Sequence, residues 1–164
     1  MNYYLRLLGA LLVGVGAILL LRGYEKYLTR RLEEYRGLIS LIGHADGEIS
    51  KFLTYGSRLF RHFSCEALER CGLLSAIAEE GGLYSAFIKC KSKMSLSTAA
   101  KEKLASMLSS LGTSYREGEL SLLREIRDSL TAELRAEEAA AEKNISVARA
   151  LLIGGGLAAV IMAF

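Results

Sequence analysis

Chemistry needs nucleophiles, bases or metal ligands at particular spacings, and this chain of 164 residues offers few of them. Its two histidines, His44 and His62, stand eighteen apart, with no H-E-x-x-H and no Cys/His spacing that would close around a metal. Cys65, Cys71 and Cys90 are an odd number without a C-x-x-C pair, which suits small buried hydrophobes in a reducing compartment rather than a disulfide frame. There is no G-x-S-x-G elbow, and the runs GGLYS and IGGGLAA lack both the strand context and the lysine of a phosphate loop. The carboxylate pairs Glu33/Glu34, Glu79/Glu80 and Glu137/Glu138 lie in charge-rich helical surroundings, where solvated faces with i,i+4 ion pairs explain them better than acid–base work. The expectation is a protein that is not an enzyme and uses no cofactor or metal. Each histidine then serves as a packing or surface residue, and a net charge of +3 is too small to argue for nucleic acid.

The elements that must position these residues are dominated by two apolar runs. Leu7 to Leu21 is fifteen residues without a charge between Arg6 and Arg22, and Ala150 to Phe164 is another fifteen after Arg149. At about 1.5 Å per residue each covers roughly 22 Å of a hydrocarbon layer about 30 Å thick, so flanking residues must help. Tyr3, Tyr4, Tyr24 and Tyr27 flank the first run, while Arg6 and Arg22 can snorkel toward headgroups; Ile145 to Phe164 gives the second run twenty residues. A signal peptide would place its basic residues before the apolar core and a small-residue cleavage site after it, and RGYEKYLTRR does neither. Two transmembrane helices are therefore expected, in residues 1–22 and 145–164, around a domain spanning 23–144.

Orientation follows from basic residues close to the membrane ends. Arg22, Lys26, Arg30, Arg31 and Arg36 follow the first run, against Arg6 before it; Arg135, Lys143 and Arg149 precede the second and none follows it. Both runs predict a two-pass integral membrane protein with the middle domain in the cytoplasm and both termini outside. All eighteen acids lie in that middle segment, which is large enough for one small core.

With 51% hydrophobic residues and no proline, the chain reads as all-α. Tyr24, Leu28, Leu32, Tyr35, Ile39 and Ile42 alternate steps of four and three, a helical stripe continuing out of the first run. Gly37, Gly43 and Gly47 each cost about 1 kcal/mol against alanine, which predicts a bend or break near GHADGE, with helix resuming through EISKFLTYGSRLFRHF. Ser64 can cap a helix through SCEALERCGLLSAIAEE that Gly81 and Gly82 end; a short segment, LYSAFIKCKSKM, follows, and then LSTAAKEKLASMLSSL carries Leu104, Met107, Leu108 and Leu111 on one face.

The most informative local signal is a corner. Gly112 follows Leu111 where a left-handed cap residue is wanted, and Ser114 with Glu117 forms an S-x-x-E capping box that starts the next helix. Leu120, Leu123, Ile126, Leu130 and Leu134 then keep helical spacing, and the alanine-rich AEEAAAEKNISVARA runs on into the second apolar run. The expected architecture is an antiparallel helical bundle whose first and last helices extend the two anchors. Within the anchors Ala10 and Gly14, and Ala150, Gly154 and Ala158, are spaced four apart; such small faces let membrane helices pack closely, inside one chain or between chains of a homo-oligomer.

In order and spacing, the chain resembles the stage III sporulation protein AB family. The resemblance rests on LRLLGALLV at the start, RRLEEYRGLISLI leading to GEIS, the LG corner before a long alanine- and glutamate-rich helix, and an apolar glycine-containing end. It implies a non-enzymatic membrane component of the sporulation channel between mother cell and forespore, similar to the platform protein of type II secretion and type IV pilus systems. The partners implied are a cytoplasmic ATPase and the other channel proteins, with the chain on the mother-cell side of the outer forespore membrane. The corner residues Leu111 and Gly112 match the family, and Glu119 stands where the family tends to carry a glutamine; the resemblance implies that they turn the chain and contact a partner. Without it, the residues equally allow a two-helix membrane adaptor or sensor for a soluble cytoplasmic protein. A pore-former is disfavoured, because neither run carries a polar stripe.

Overall fold

Apolar residues at helical spacing and the absence of proline leave the backbone few reasons to stop, and the two longest helices stop late. The computed structural model describes residues 2–52, 60, 62–111 and 116–163, and these are all-α, with six helices and no strand among the described residues. They are α1 (Asn2–Phe52), α2 (Glu66–Arg70), α3 (Leu73–Glu80), α4 (Leu83–Cys90), α5 (Thr98–Ser109) and α6 (Arg116–Ala163). The chain divides into two compact units, residues 1–29 with 137–164, and residues 30–136.

In the unit of residues 30–136, α1 contributes Tyr35, Leu38, Leu41, Ile42, Ala45 and Ile49 to the core. The buried face therefore runs through Leu38 and Leu41, with Ile39 only half-buried at its edge. Against it pack Leu68 of α2, Leu73, Ala76 and Ile77 of α3, Leu83, Ala86 and Phe87 of α4, Leu104 and Leu108 of α5, and Leu123, Ile126 and Leu130 of α6. Of the bend or break expected near GHADGE, the break does not occur: α1 is continuous through Gly37, Gly43 and Gly47. Helices in folded proteins draw most of their stability from a packed face, and burying Leu41, Ile42, Ala45 and Ile49 outweighs the glycine cost. Gly37 is also a close approach, since a Cβ there would stand 3.0 Å from Cys65 Sγ and 3.1 Å from Leu68 Cγ.

The single helix expected over SCEALERCGLLSAIAEE is two. Its N-cap is Cys65 rather than Ser64 and makes no side-chain capping bond, and the break falls where Gly72 takes φ +79°. Gly81 ends α3 at φ +70°, its N–H donating to the Ile77 carbonyl, and Gly82 starts α4. LYSAFIKC is thus a helix, with Leu83, Ala86, Phe87 and Cys90 on its buried side. Ser97 caps α5 by accepting from Ala100 N–H at 3.1 Å. The continuation expected through FLTYGSRLFRHF falls mostly on residues 53–59 and 61, outside the described ones.

The unit of residues 1–29 and 137–164 pairs the first part of α1 with the last part of α6, which run in opposite directions. Leu28 and Ala141 are its buried residues among those described. Further along the two helices, Leu8, Leu11, Leu12, Leu19 and Leu20 on α1 and Val147 and Leu151 on α6 are exposed, Leu20 to 77% and Leu151 to 71%.

Candidate functional site

Two sets of residues were singled out by sequence, the corner before α6 and the small faces of the apolar runs. At the corner, α5 ends on Ser110 with αR geometry, and Ser110 and Leu111 N–H donate to the Met107 and Leu108 carbonyls at 3.2 Å each. Leu111 is half-buried and packed against the core. Gly112 and Ser114 lie outside the described residues, so the capping box is not seen. Glu117 and Glu119 both fall in the first turn of α6, where carboxylates complement the positive end of the helix dipole. They differ in exposure, for Glu117 is exposed while Glu119 is 7% exposed and covered by the fold itself.

Among the small residues, a Cβ built on Gly14 or Gly154 meets nothing within 4 Å, and Ala150 is exposed. Ala10 and Ala158 lie outside the residues whose side chains are described. Among the described residues the two segments are also bridged by a polar pair: Arg149 Nη2 donates to Glu25 Oε1 at 2.9 Å. Both side chains are partly exposed, so in water the pair is worth little, but it fixes a register. The first apolar run ends at Leu21, four residues before Glu25, and the second begins one residue after Arg149, so their edges lie within about 5 Å along the axis.

The carboxylate pairs are placed unequally. Glu34, expected on a solvated face, is 1% exposed in the core: Ser95 N–H donates to its Oε2 at 2.5 Å, and Arg30 Nε lies 3.5 Å from Oε1. It anchors the α4–α5 connection to α1, and no spacing rule in the sequence separates it from its exposed neighbour Glu33, which pairs with Arg70. Glu79 and Glu80 converge on Lys89 at 2.8 and 3.0 Å, across the α3–α4 turn rather than along one helix. Lys89 thereby holds Glu79 below the ordinary carboxylate range, chiefly through their hydrogen bond.

Two thiols and one histidine are engaged in packing, while His62 is exposed. The Cys71 thiol donates to the Leu68 carbonyl and the Cys90 thiol to the Gly72 carbonyl, and burial pushes Cys71 above the ordinary thiol range. His44 stacks at a tilt on Phe63, with ring centroids 5.5 Å apart. Among the described residues no group of three or more His, Cys, Asp or Glu could hold a metal ion. A shallow groove of about 360 Å³ between α1 and α2 is lined by Glu33, Arg36, Gly37, Ser40, Cys65 and Arg70, and its main polar feature is the Glu33–Arg70 pair.

Among the described residues no helix is long and apolar enough to cross a membrane. The two expected spans fall partly outside the described set, because side chains are not described at residues 1–7, 10 and 13 of the first or at 153 and 156–164 of the second.

Compared with known proteins, the chain matches the sequence model for stage III sporulation protein AB over residues 6–164, and it belongs to that family. No curated protein and no solved structure matches it.

Proposed function

We propose that this member of the stage III sporulation protein AB family is a non-enzymatic, two-pass membrane component of the channel between mother cell and forespore. Residues 30–136 form its cytoplasmic domain and dock the ATPase of that complex, as a platform protein would. The observation that supports the membrane part is the set of outward-facing apolar side chains in the described parts of the two runs, Leu12, Leu20 and Leu151 among them. In water such a surface is a liability; in hydrocarbon it is the ordinary lipid-facing side of a helix pair. The similar level of the two apolar edges beside the Glu25–Arg149 pair is consistent with a single membrane boundary for both helices. The closed core of residues 30–136, with two thiols and His44 engaged in packing, supports a binding domain over a catalytic one.

Reporter fusions test the placement. A cytoplasmic reporter inserted at Ser92 is expected to be active, and an export-dependent reporter at either terminus is expected to be active too. An export-dependent signal from Ser92 would overturn the orientation. Deletion in the native host is expected to arrest forespores after engulfment, with rescue by the intact gene. The domain of residues 30–136, presented in the full chain, is expected to capture the complex's ATPase. Normal sporulation would leave a membrane adaptor for some other cytoplasmic protein.

A further inference from the structure

The strongest unabsorbed feature is the collar that follows the first apolar run. Arg22 and Lys26 are exposed and one helical turn apart on the same face of α1, and neither has a hydrogen-bond or ion-pair partner among the described residues. Glu25 is the only carboxylate before Glu33, and it is engaged by Arg149 at 2.9 Å, so nothing on that turn offsets the two cations. Tyr24 and Tyr27 are exposed beside them, each an apolar ring with a hydroxyl tip. Immediately before the collar stand the exposed Ile18, Leu19 and Leu20.

From this juxtaposition we infer that Arg22, Tyr24, Lys26 and Tyr27 form a binding surface for anionic phospholipid headgroups, selecting the lipids that surround the protein. The inference rests on the membrane reading above and goes beyond it, because spanning a bilayer needs no preference among headgroups. Arginine offers a planar fork that matches phosphate oxygens in two parallel hydrogen bonds, and lysine adds a second cation about 6 Å further along the helix. Both lie within the screening length of about 8 Å at physiological salt from a charge at the apolar edge. Tyrosine rings settle at headgroup level, where one end is dry and the other wet. An acidic protein segment could pair with the same cations, but the collar is continuous with a surface whose natural cover is acyl chain, which favours a lipid occupant.

The test uses the full chain reconstituted in phosphatidylcholine vesicles carrying a trace of spin-labelled lipid, with the motionally restricted fraction read by electron paramagnetic resonance. Labelled phosphatidylglycerol is expected to associate about fivefold more strongly than labelled phosphatidylcholine, the size expected for one basic residue near an anionic surface. That preference is expected to fall toward unity in R22Q/K26Q and in molar salt, where screening shortens to about 3 Å, and to persist in R22K/K26R. Equal association of the two labels, or a preference that survives in R22Q/K26Q, overturns the headgroup inference while leaving the membrane reading in place. Absence of restricted lipid with either label overturns both.

Discussion

Phe87 and Leu20 are both large and apolar, yet Phe87 is 0% exposed and Leu20 stands at the opposite extreme. The contrast holds for the units they belong to. Residues 30–136 gather their large side chains from all six helices into one core, as a chain must when its solvent is water. Among the described side chains of residues 1–29 and 137–164, Leu8, Leu12, Leu20 and Leu151 are exposed and only Leu28 and Ala141 are buried. The same residue types obey two rules in one polypeptide, and on the membrane reading proposed above the difference comes from two solvents. The placement of charge follows the same division. In the larger unit even a carboxylate, Glu34, is drawn inside and given a partner, whereas in the smaller one Arg22 and Lys26 are exposed and have no partner among the described residues.

The sharpest way to break that comparison is to truncate one side chain in each unit. Phe87→Ala is expected to cost about 3–5 kcal/mol in denaturant unfolding of the detergent-solubilised chain, against less than about 0.5 kcal/mol for Leu20→Ala. Comparable costs would mean that the smaller unit is packed like a core. A charge placed in the first apolar run acts differently: Leu12→Arg is expected to weaken membrane insertion by about 3 kcal/mol, read as loss from the carbonate-resistant membrane fraction. Its unfolding in detergent would change far less, and a variant that stays fully inserted would argue that Leu12 never meets hydrocarbon. Next in size is the buried carboxylate. Glu34→Ala leaves the Ser95 N–H without its acceptor and is expected to cost about 1–3 kcal/mol, while Glu34→Gln, which keeps an acceptor oxygen, should recover much of that loss.

The smallest effect is a pH dependence confined to the larger unit. Burial raises the folded Cys71 thiol above the unfolded value near 9.0, so the folded chain keeps a proton that the unfolded chain gives up. The stability from this difference is fully present below the unfolded value and is lost as pH rises through the folded one. A falling unfolding midpoint above pH 9.0 is therefore expected, flattened in Cys71→Ala; equal slopes in both proteins would assign the alkaline loss elsewhere.

Much of this division was legible in the sequence because hydropathy and helical period are strong, local signals. Leu104, Leu108, Leu123, Ile126 and Leu130 were expected on packed faces and are buried. The misjudged places share a cause, namely that a local rule met a tertiary contact. Gly43 and Gly47 predicted a break that the packing of Ile42, Ala45 and Ile49 overrides, and the Ser64 cap gave way to Cys65 with a break at Gly72 that only a positive φ explains. Glu34 could not be told from Glu33, since its partner Ser95 lies 61 residues away. Of the corner, Leu111 packs against the core as its apolar character suggests, while the burial of Glu119 depends on neighbours that no i,i+3 pattern names.

The contact between Glu25 and Arg149 joins residues 124 positions apart. In synthesis from the amino terminus, the first arm is complete long before its counterpart exists. Glu25 must wait through the making of the whole helical domain before its guanidinium arrives. Closing so long a loop is slow unless the ends are held near each other, and the domain of residues 30–136, folding in the meantime, would do the holding. The pair then works as a receipt for completed manufacture: it can form only in a chain that has been read at least to Arg149.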